Sequence, residues 1–379
     1  MTTRPDFAVV FPRAGVTGGV ERVALDLVRY QSARRDTYFV GETLDADDLQ
    51  HEQVQPARVP TSLRPWAFRR AAAAVLSDLR PRTTLSFGAN CPPGDVYWVQ
   101  SVHRAWLEDG GQVVFHGVPV PAGVRKLLLR HQVLLRLEHD YFVNHRPRAI
   151  LCTSEREVDD LIRLYAVPSE LLHVVPNGFD GTLFSAARRA EQRDAMRASI
   201  GAADEDIVVL IVANEWHRKG LGPLIEAIGT LNDPRVRLDL VGMKSPDDYR
   251  PLAQRLGLAD RMRWHGPSAD VGRFHAAADV FALPTTYEPF GLVIVEAMAS
   301  GLPVITSRLA GAARAIEAGR NGLLLDDPRD PAELGAALGR LLDRDERERM
   351  GAAAAGSVDD YEWQQVFARA EKLIFPEAG

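Results

Sequence analysis

Val280-Phe-Ala-Leu-Pro284-Thr-Thr-Tyr-Glu288-Pro-Phe-Gly291-Leu-Val-Ile-Val-Glu296-Ala-Met-Ala-Ser-Gly301-Leu-Pro-Val-Ile305 runs from a short apolar stretch through a turn into a mostly apolar segment. Residues 280–283 suit a buried strand. Pro289 suits the first turn of a helix, which places the helix start near Phe290 and Glu288 at or just before it. A helix N-terminus offers unpaired N–H groups and the positive end of the dipole, so it is a site for phosphate. At Gly291 the backbone can approach an anion with no Cβ in the way. Glu296 follows Glu288 by eight residues, roughly 12 Å along a helix. Carboxylates that far apart share neither a proton nor a metal. They are placed to grip the two ends of an elongated ligand, with a diphosphate between them on the N–H groups of Gly291 and Leu292. The plainer alternative is a helix cap at Glu288 and a solvent-facing Glu296.

Two further segments support the first alternative. Val212-Ala-Asn214-Glu215-Trp-His217-Arg218-Lys219-Gly220 lies between an apolar run at 207–213 and a helical stretch reaching about Leu231. Arg218 gives a bidentate fork and Lys219 a compact charge, a pair suited to a diphosphate at a strand-to-helix turn. The second segment is Arg13-Ala-Gly15-Val-Thr-Gly18-Gly19-Val-Glu21-Arg22, a glycine-rich loop after a first strand, distinct from the G-x-G-x-x-G dinucleotide fingerprint.

Outward from these segments, short apolar runs alternate with amphipathic ones, the pattern of parallel sheets covered by helices. Strands are predicted at 7–11, 38–41, 84–87, 96–100, 150–153 and 173–175, then at 207–213, 237–241, 280–283 and 322–325. Helices are predicted at 20–32, 65–79, 124–142, 155–165, 331–355 and 361–374. The polar segment 184–203 reads as a linker plus a surface helix. The domains expected are 1–185, 205–358 and a terminal helical segment 359–379.

A chain of 379 residues is too long for one ordinary core and comfortable for two. Its 46% hydrophobic and 25% charged residues and formal charge of -6 describe an ordinary globular protein and exclude a basic nucleic-acid binder. No apolar run reaches the ~20 residues of a membrane span, and 7–11 reads as a strand, so a cytoplasmic protein is expected. Cys91 and Cys152 have no neighbours at metal-ligand spacing and read as reduced structural thiols. Segment 124–136, with Arg125, Lys126, Arg130 and Arg136 among leucines, suits an anionic membrane surface; a core-facing helix with solvated cations is the plainer account. Asp247-Asp248 reads as a surface turn.

Taken together, the segments resemble the retaining glycosyltransferases of family 4. The likeness is nearly continuous from Val209 to about Leu325, with His265-Gly-Pro, Ala278-Asp279-Val-Phe-Ala-Leu-Pro284, Glu-x7-Glu and Gly301-Leu-Pro-Val; it is thinner earlier, at Gly18-Gly19, His103 and Pro176-Asn177-Gly178. The resemblance implies an α/β protein of the GT-B fold, two Rossmann-like domains facing each other across a cleft, an acceptor domain first and a donor domain second, with the last helix returning to the first. By the same resemblance Gly18 and Gly19 face the β-phosphate, His103 and Glu288 the donor sugar, Arg218 and Lys219 the diphosphate, Glu296 the ribose, and the backbone around Pro267 the base. Many members carry Arg at the position of Asn214 and Glu at that of Arg314. Arg218 beside Lys219 is instead similar to bacterial lipopolysaccharide-core glucosyltransferases.

The expected activity is transfer of a hexosyl unit, with retention, from a nucleotide diphosphate sugar to a glycan, glycolipid or small-molecule acceptor, with no cofactor and no metal. The alternatives are an inactive nucleotide-sugar-binding protein of the same fold and a Rossmann oxidoreductase, the latter disfavoured by the missing fingerprint.

Overall fold

The computed structural model describes residues 4–16, 18–109, 114–115, 118–119, 124 and 128–376. The chain forms two compact units. One holds the described residues up to Asn177 together with the stretch from Trp363 on; the other is Gly178–Glu362.

The sheet of the first unit has seven parallel strands: β1 Phe7–Val10, β2 Thr37–Gly41, β3 Gln50–Gln53, β4 Thr83–Ser86, β5 Val96–Val99, β6 Ala149–Cys152 and β7 Leu172–Val174. Their order is β7-β6-β5-β4-β1-β2-β3. Every residue of β1, β5 and β6 is buried, because helices cover both faces of such a sheet, which is why these strands read as unbroken apolar runs. The edge strand Gln50–Gln53 carries no apolar residue and gives no periodic signal, so the sequence does not announce it. Helix Trp363–Ile374 belongs to this unit: Phe367 packs against Tyr30 at 5.3 Å and Trp98 at 6.3 Å, and the Arg148 guanidinium donates to the Ile374 carbonyl at 2.6 Å.

In the second unit the sheet has six parallel strands: β8 Ile207–Val212, β9 Val236–Val241, β10 Met262–Trp264, β11 Val280–Leu283, β12 Val304–Ser307 and β13 Gly322–Leu325. The order β10-β9-β8-β11-β12-β13 repeats that of the first six strands of the other unit. The chain leaves β8 in one direction and returns on its other side at β11, where Val209 pairs with Val280 and Leu210 with Phe281. The carboxyl ends of β8 and β11 thus flank a switch point, the crevice where open α/β sheets take ligands.

Segment 184–203 carries the expected surface helix but lies within the second unit. The helix, Ala186–Ser199, is held there because Arg193 and Arg197 reach the Asp279 carboxylate at 2.6 and 3.0 Å. Strands β10 and β12 and helix His103–Asp109 also go beyond the sequence expectation. The stretch 331–355 is two helices, Pro331–Arg340 and Arg344–Ala355, since the Asp343 carboxylate accepts from Glu346 N–H at 2.8 Å and caps a new start. Of the basic segment 124–136, residues 125–127 lie outside the described residues. Helix Leu129–His139 follows, with His131 and Val133 buried and Arg130 and Arg136 exposed. Cys91 and Cys152 are buried free thiols, and Asp247 sits in an exposed turn paired with Arg250 at 2.7 Å. Among the described residues no helix is long and apolar enough to cross a membrane.

Candidate active site

At the switch point of the second sheet two loops meet: 213–220 after β8 and 284–291 after β11. Gly220 lets them touch. Its φ is +77°, and a Cβ there would lie 2.1 Å from the Pro284 carbonyl oxygen, so no other residue fits. Thr285 and Thr286 then fasten the loops. Thr286 N–H donates to the Arg218 carbonyl at 2.9 Å, and the buried Thr285 hydroxyl lies 3.2 Å from the same carbonyl and 3.0 Å from that of Tyr287.

This contact brings together three of the four charged residues singled out from sequence, Arg218, Lys219 and Glu288. The Lys219 ammonium touches the Glu288 carboxylate, and Arg218 Nη1 lies 3.4 Å from the same oxygen, Glu288 Oε2. Arg218 also donates to the Tyr287 carbonyl and, through Nε, to Glu215 at 2.8 Å. Lys219 and Glu288 are both buried. Burial and the neighbouring Arg218 push the Lys219 ammonium well below its ordinary pKa, with Glu215 opposing; contact with a carboxylate supplies the partner that a buried ammonium requires. Counting charge by sequence treats the two cations alone. In the folded unit Glu288 is their neighbour, and the three side chains sum to about one positive charge.

Helix formation after Glu288 begins later than the proline suggests. The helix is Leu292–Ala299, with Gly291 at φ +98° as its N-cap, so Pro289 and Phe290 belong to the preceding turn and the helical spacing of Glu288 from Glu296 does not apply. That turn is tied to the next loop: Gly311 N–H donates to the Glu288 carbonyl at 3.0 Å and Ala312 N–H to that of Phe290 at 2.8 Å. A Cβ on Gly291 would lie 3.1 Å from Glu288 Cγ, so the glycine makes room for the carboxylate side chain. The first N–H groups of the helix, which precede its own ladder, begin at Leu292, four residues after Glu288. Phe290 and Glu296 are buried and Leu292 partly so.

Around the neighbouring strands, His265 Nε2 lies 2.8 Å from Asp239 Oδ2, and Asp239 is also paired with Arg237, which fixes the turn leading to the exposed Pro267. Asn214 accepts from Met243 N–H at 3.0 Å, a loop-fastening contact. Arg314 is exposed in the turn Gly311–Ala315. In the first unit Gly18 and Gly19 are exposed at the start of helix Gly19–Ser32, just beyond β1, and His103 opens helix His103–Asp109. Sequence reasoning missed the roles of Thr285, Thr286 and Gly220; the clash a side chain would meet at Gly220 is set by a loop 64 residues away, which no local pattern reveals.

Two family models cover most of the chain: "Glycosyltransferase Family 4" matches residues 17–182 and "Glycosyl transferases group 1" matches residues 192–356. This chain belongs to glycosyltransferase family 4. A D-inositol 3-phosphate glycosyltransferase of Streptomyces bingchenggensis is 31% identical to it over 303 residues, which are 74% of this chain and 65% of the relative. This family member spans less than two thirds of the length of the curated relatives it matches. Among solved structures, WaaG, a glycosyltransferase involved in lipopolysaccharide biosynthesis, matches with a TM-score of 0.85 at 20% identity, over 98% of this chain and 100% of its own. HepE of Anabaena, in complex with UDP-glucose, matches with a TM-score of 0.70 at 22% identity, over 97% and 99%. Both are similar in fold: two Rossmann-like units of the GT-B class.

Proposed function

We propose that this glycosyltransferase moves a hexosyl unit from a nucleotide diphosphate sugar to a hydroxyl group of a glycan, glycolipid or small-molecule acceptor, with retention at the anomeric carbon and without a divalent metal. The observation that carries this is the placing of Arg218, Lys219 and Glu288 together at the switch point of the second sheet. The nucleotide sugar that HepE holds, UDP-glucose, supports the donor class.

In this scheme the acceptor oxygen attacks the anomeric carbon from the face on which the diphosphate departs. The bond to the β-phosphate oxygen breaks with its electron pair going to the phosphate, and the acceptor's proton follows to that oxygen. Arg218, Lys219 and the helix start at Gly291 and Leu292, the latter worth about half a charge, stabilise the leaving group as charge develops. Glu288 takes a sugar hydroxyl, Glu296 the ribose and the backbone at Pro267 the base. In the first unit, Gly18 and Gly19 serve phosphate and His103 serves the sugar.

A thermal-shift screen with UDP, GDP, ADP and TDP hexoses is the first test, because a ligand of the folded state raises Tm by mass action. One donor is expected to raise Tm and to be consumed, at an unchanged rate in excess chelator. No stabilisation by any donor overturns the donor class. Abolition by chelator and rescue by magnesium overturns the metal-free account, and a donor bound but never consumed points to the inactive alternative.

The two carboxylates are expected to separate kinetically. Glu296→Ala raises KM for the donor with kcat little changed, as loss of uniform binding does, whereas Glu288→Gln lowers kcat. Equal small effects from both would show that the assignment to ribose and sugar is wrong.

A further inference from the structure

Helix His103–Asp109 is only seven residues long, yet its first residue is held from two sides by one neighbouring helix, Leu129–His139. The Glu138 carboxylate, buried, accepts from the backbone N–H groups of His103 and Arg104 at 2.5 and 3.0 Å and from the Tyr165 hydroxyl. Seven residues earlier, two turns back on the same face, His131 Nδ1 lies 3.0 Å from His103 Nε2. The two rings are 17° from parallel, and Trp106 lies against His103 at 5.5 Å and 18°. Glu138 therefore fixes the backbone under His103, and His131 fixes its ring.

We infer that His131 is a positioning residue for His103, setting its ring orientation and tautomer through this single nitrogen-to-nitrogen hydrogen bond. The inference rests on the proposed role of His103 at the donor sugar. One proton sits between the two nitrogens, so protonating both rings would set two N–H groups against each other. Burial, His131 and Arg130 hold the His103 imidazole down to about 4, and burial and Arg130 hold His131 down as well. Both rings are therefore neutral at pH 7. The other charged groups near the short helix are engaged: Arg163 with Glu108 at 3.0 Å and Arg156 with Asp109 at 2.5 Å, both on helix Glu155–Tyr165, and Glu138 as described. With Nε2 taken, His103 has Nδ1 left for a ligand. A hydroxyl group, which both donates and accepts, suits Nδ1 in either tautomer and so suits a sugar.

Histidine ring ¹⁵N NMR on the full chain tests this without reference to turnover. Wild type is expected to show one neutral His103 tautomer between pH 5 and 8. His131→Asn, whose amide occupies the place of Nδ1 and can donate or accept there, keeps that tautomer. His131→Leu gives a mixture and raises the His103 titration towards its ordinary range. In turnover of the stabilising donor, His131→Leu is expected to lower kcat ~10- to 100-fold, the scale of a misplaced polar group, and His131→Asn to stay within about threefold of wild type. An unchanged His103 tautomer in His131→Leu, or equal impairment of both variants, overturns the inference. If His131→Leu does not fold, His131→Asn decides alone: a wild-type tautomer supports the inference and an altered one overturns it. A wild type that turns over no nucleotide sugar overturns the proposed function instead, and leaves the NMR result standing.

Discussion

Lys219→Ala is expected to lower kcat/KM by roughly 30-fold or more. A buried cation that meets a charged ligand group in a water-poor site is worth on the order of 2 to 5 kcal/mol when removed. The substitution leaves Glu288 with Arg218 3.4 Å away, so the loop keeps one charged partner and the unit should fold. What is lost is one of the two cationic side chains assigned to a departing diphosphate. Because that charge matters most as the bond breaks, the larger share of the loss should fall on kcat. Arg218→Ala should add a binding defect, since this guanidinium also braces the Tyr287 carbonyl and Glu215. A Lys219→Ala enzyme within about threefold of wild type would remove Lys219 from the leaving-group site.

The largest expected effect on stability is at Asp279, the residue just before β11 in the second unit. Its carboxylate accepts from Arg193 at 2.6 Å, Arg197 at 3.0 Å and the Val208 backbone N–H at 2.8 Å, and Arg197 is itself buried. Removing one partner of such a group strands the others, which costs about 3–5 kcal/mol. Asp279→Ala should therefore detach helix Ala186–Ser199 and speed amide exchange in β8 and β11, read by hydrogen–deuterium exchange on the full chain. Asp279→Asn, which keeps one acceptor, should fall between. A change in β8 protection below about 1 kcal/mol would mean that the helix is held by its apolar contacts alone.

The strands that could be read from sequence are those buried on both faces. Phe7-Ala-Val-Val and Ile207-Val-Val-Leu-Ile-Val are continuous because every residue in them but the partly buried Val212 is buried. Edge strands have one neighbour and need no such composition, so Gln50–Gln53 and Met262–Trp264 pass for loop. The sequence indicates helix Leu292–Ala299 but puts its start two residues early, because Pro289 favours a first turn locally while the positive φ of Gly291 sets the actual start. For the site, residue types were legible and pairings were not. Nothing near Glu288 in sequence says that it meets Lys219, since the meeting follows from the adjacency of β8 and β11. The His103–His131 contact was hidden for the same reason: its two members sit on different helices.

The first unit is a split one. Its sheet is complete by Val174, yet helix Trp363–Ile374 contributes Phe367 against Trp98, an ion pair from Glu371 to Arg35, and the Ile374 carbonyl that Arg148 holds. The second unit is one uninterrupted stretch of polypeptide, Gly178–Glu362. On a ribosome, then, the half whose synthesis begins later has all of its parts first. The half that begins earlier must wait, with Trp98 and Arg148 lacking their partners, until nearly two hundred more residues have been added.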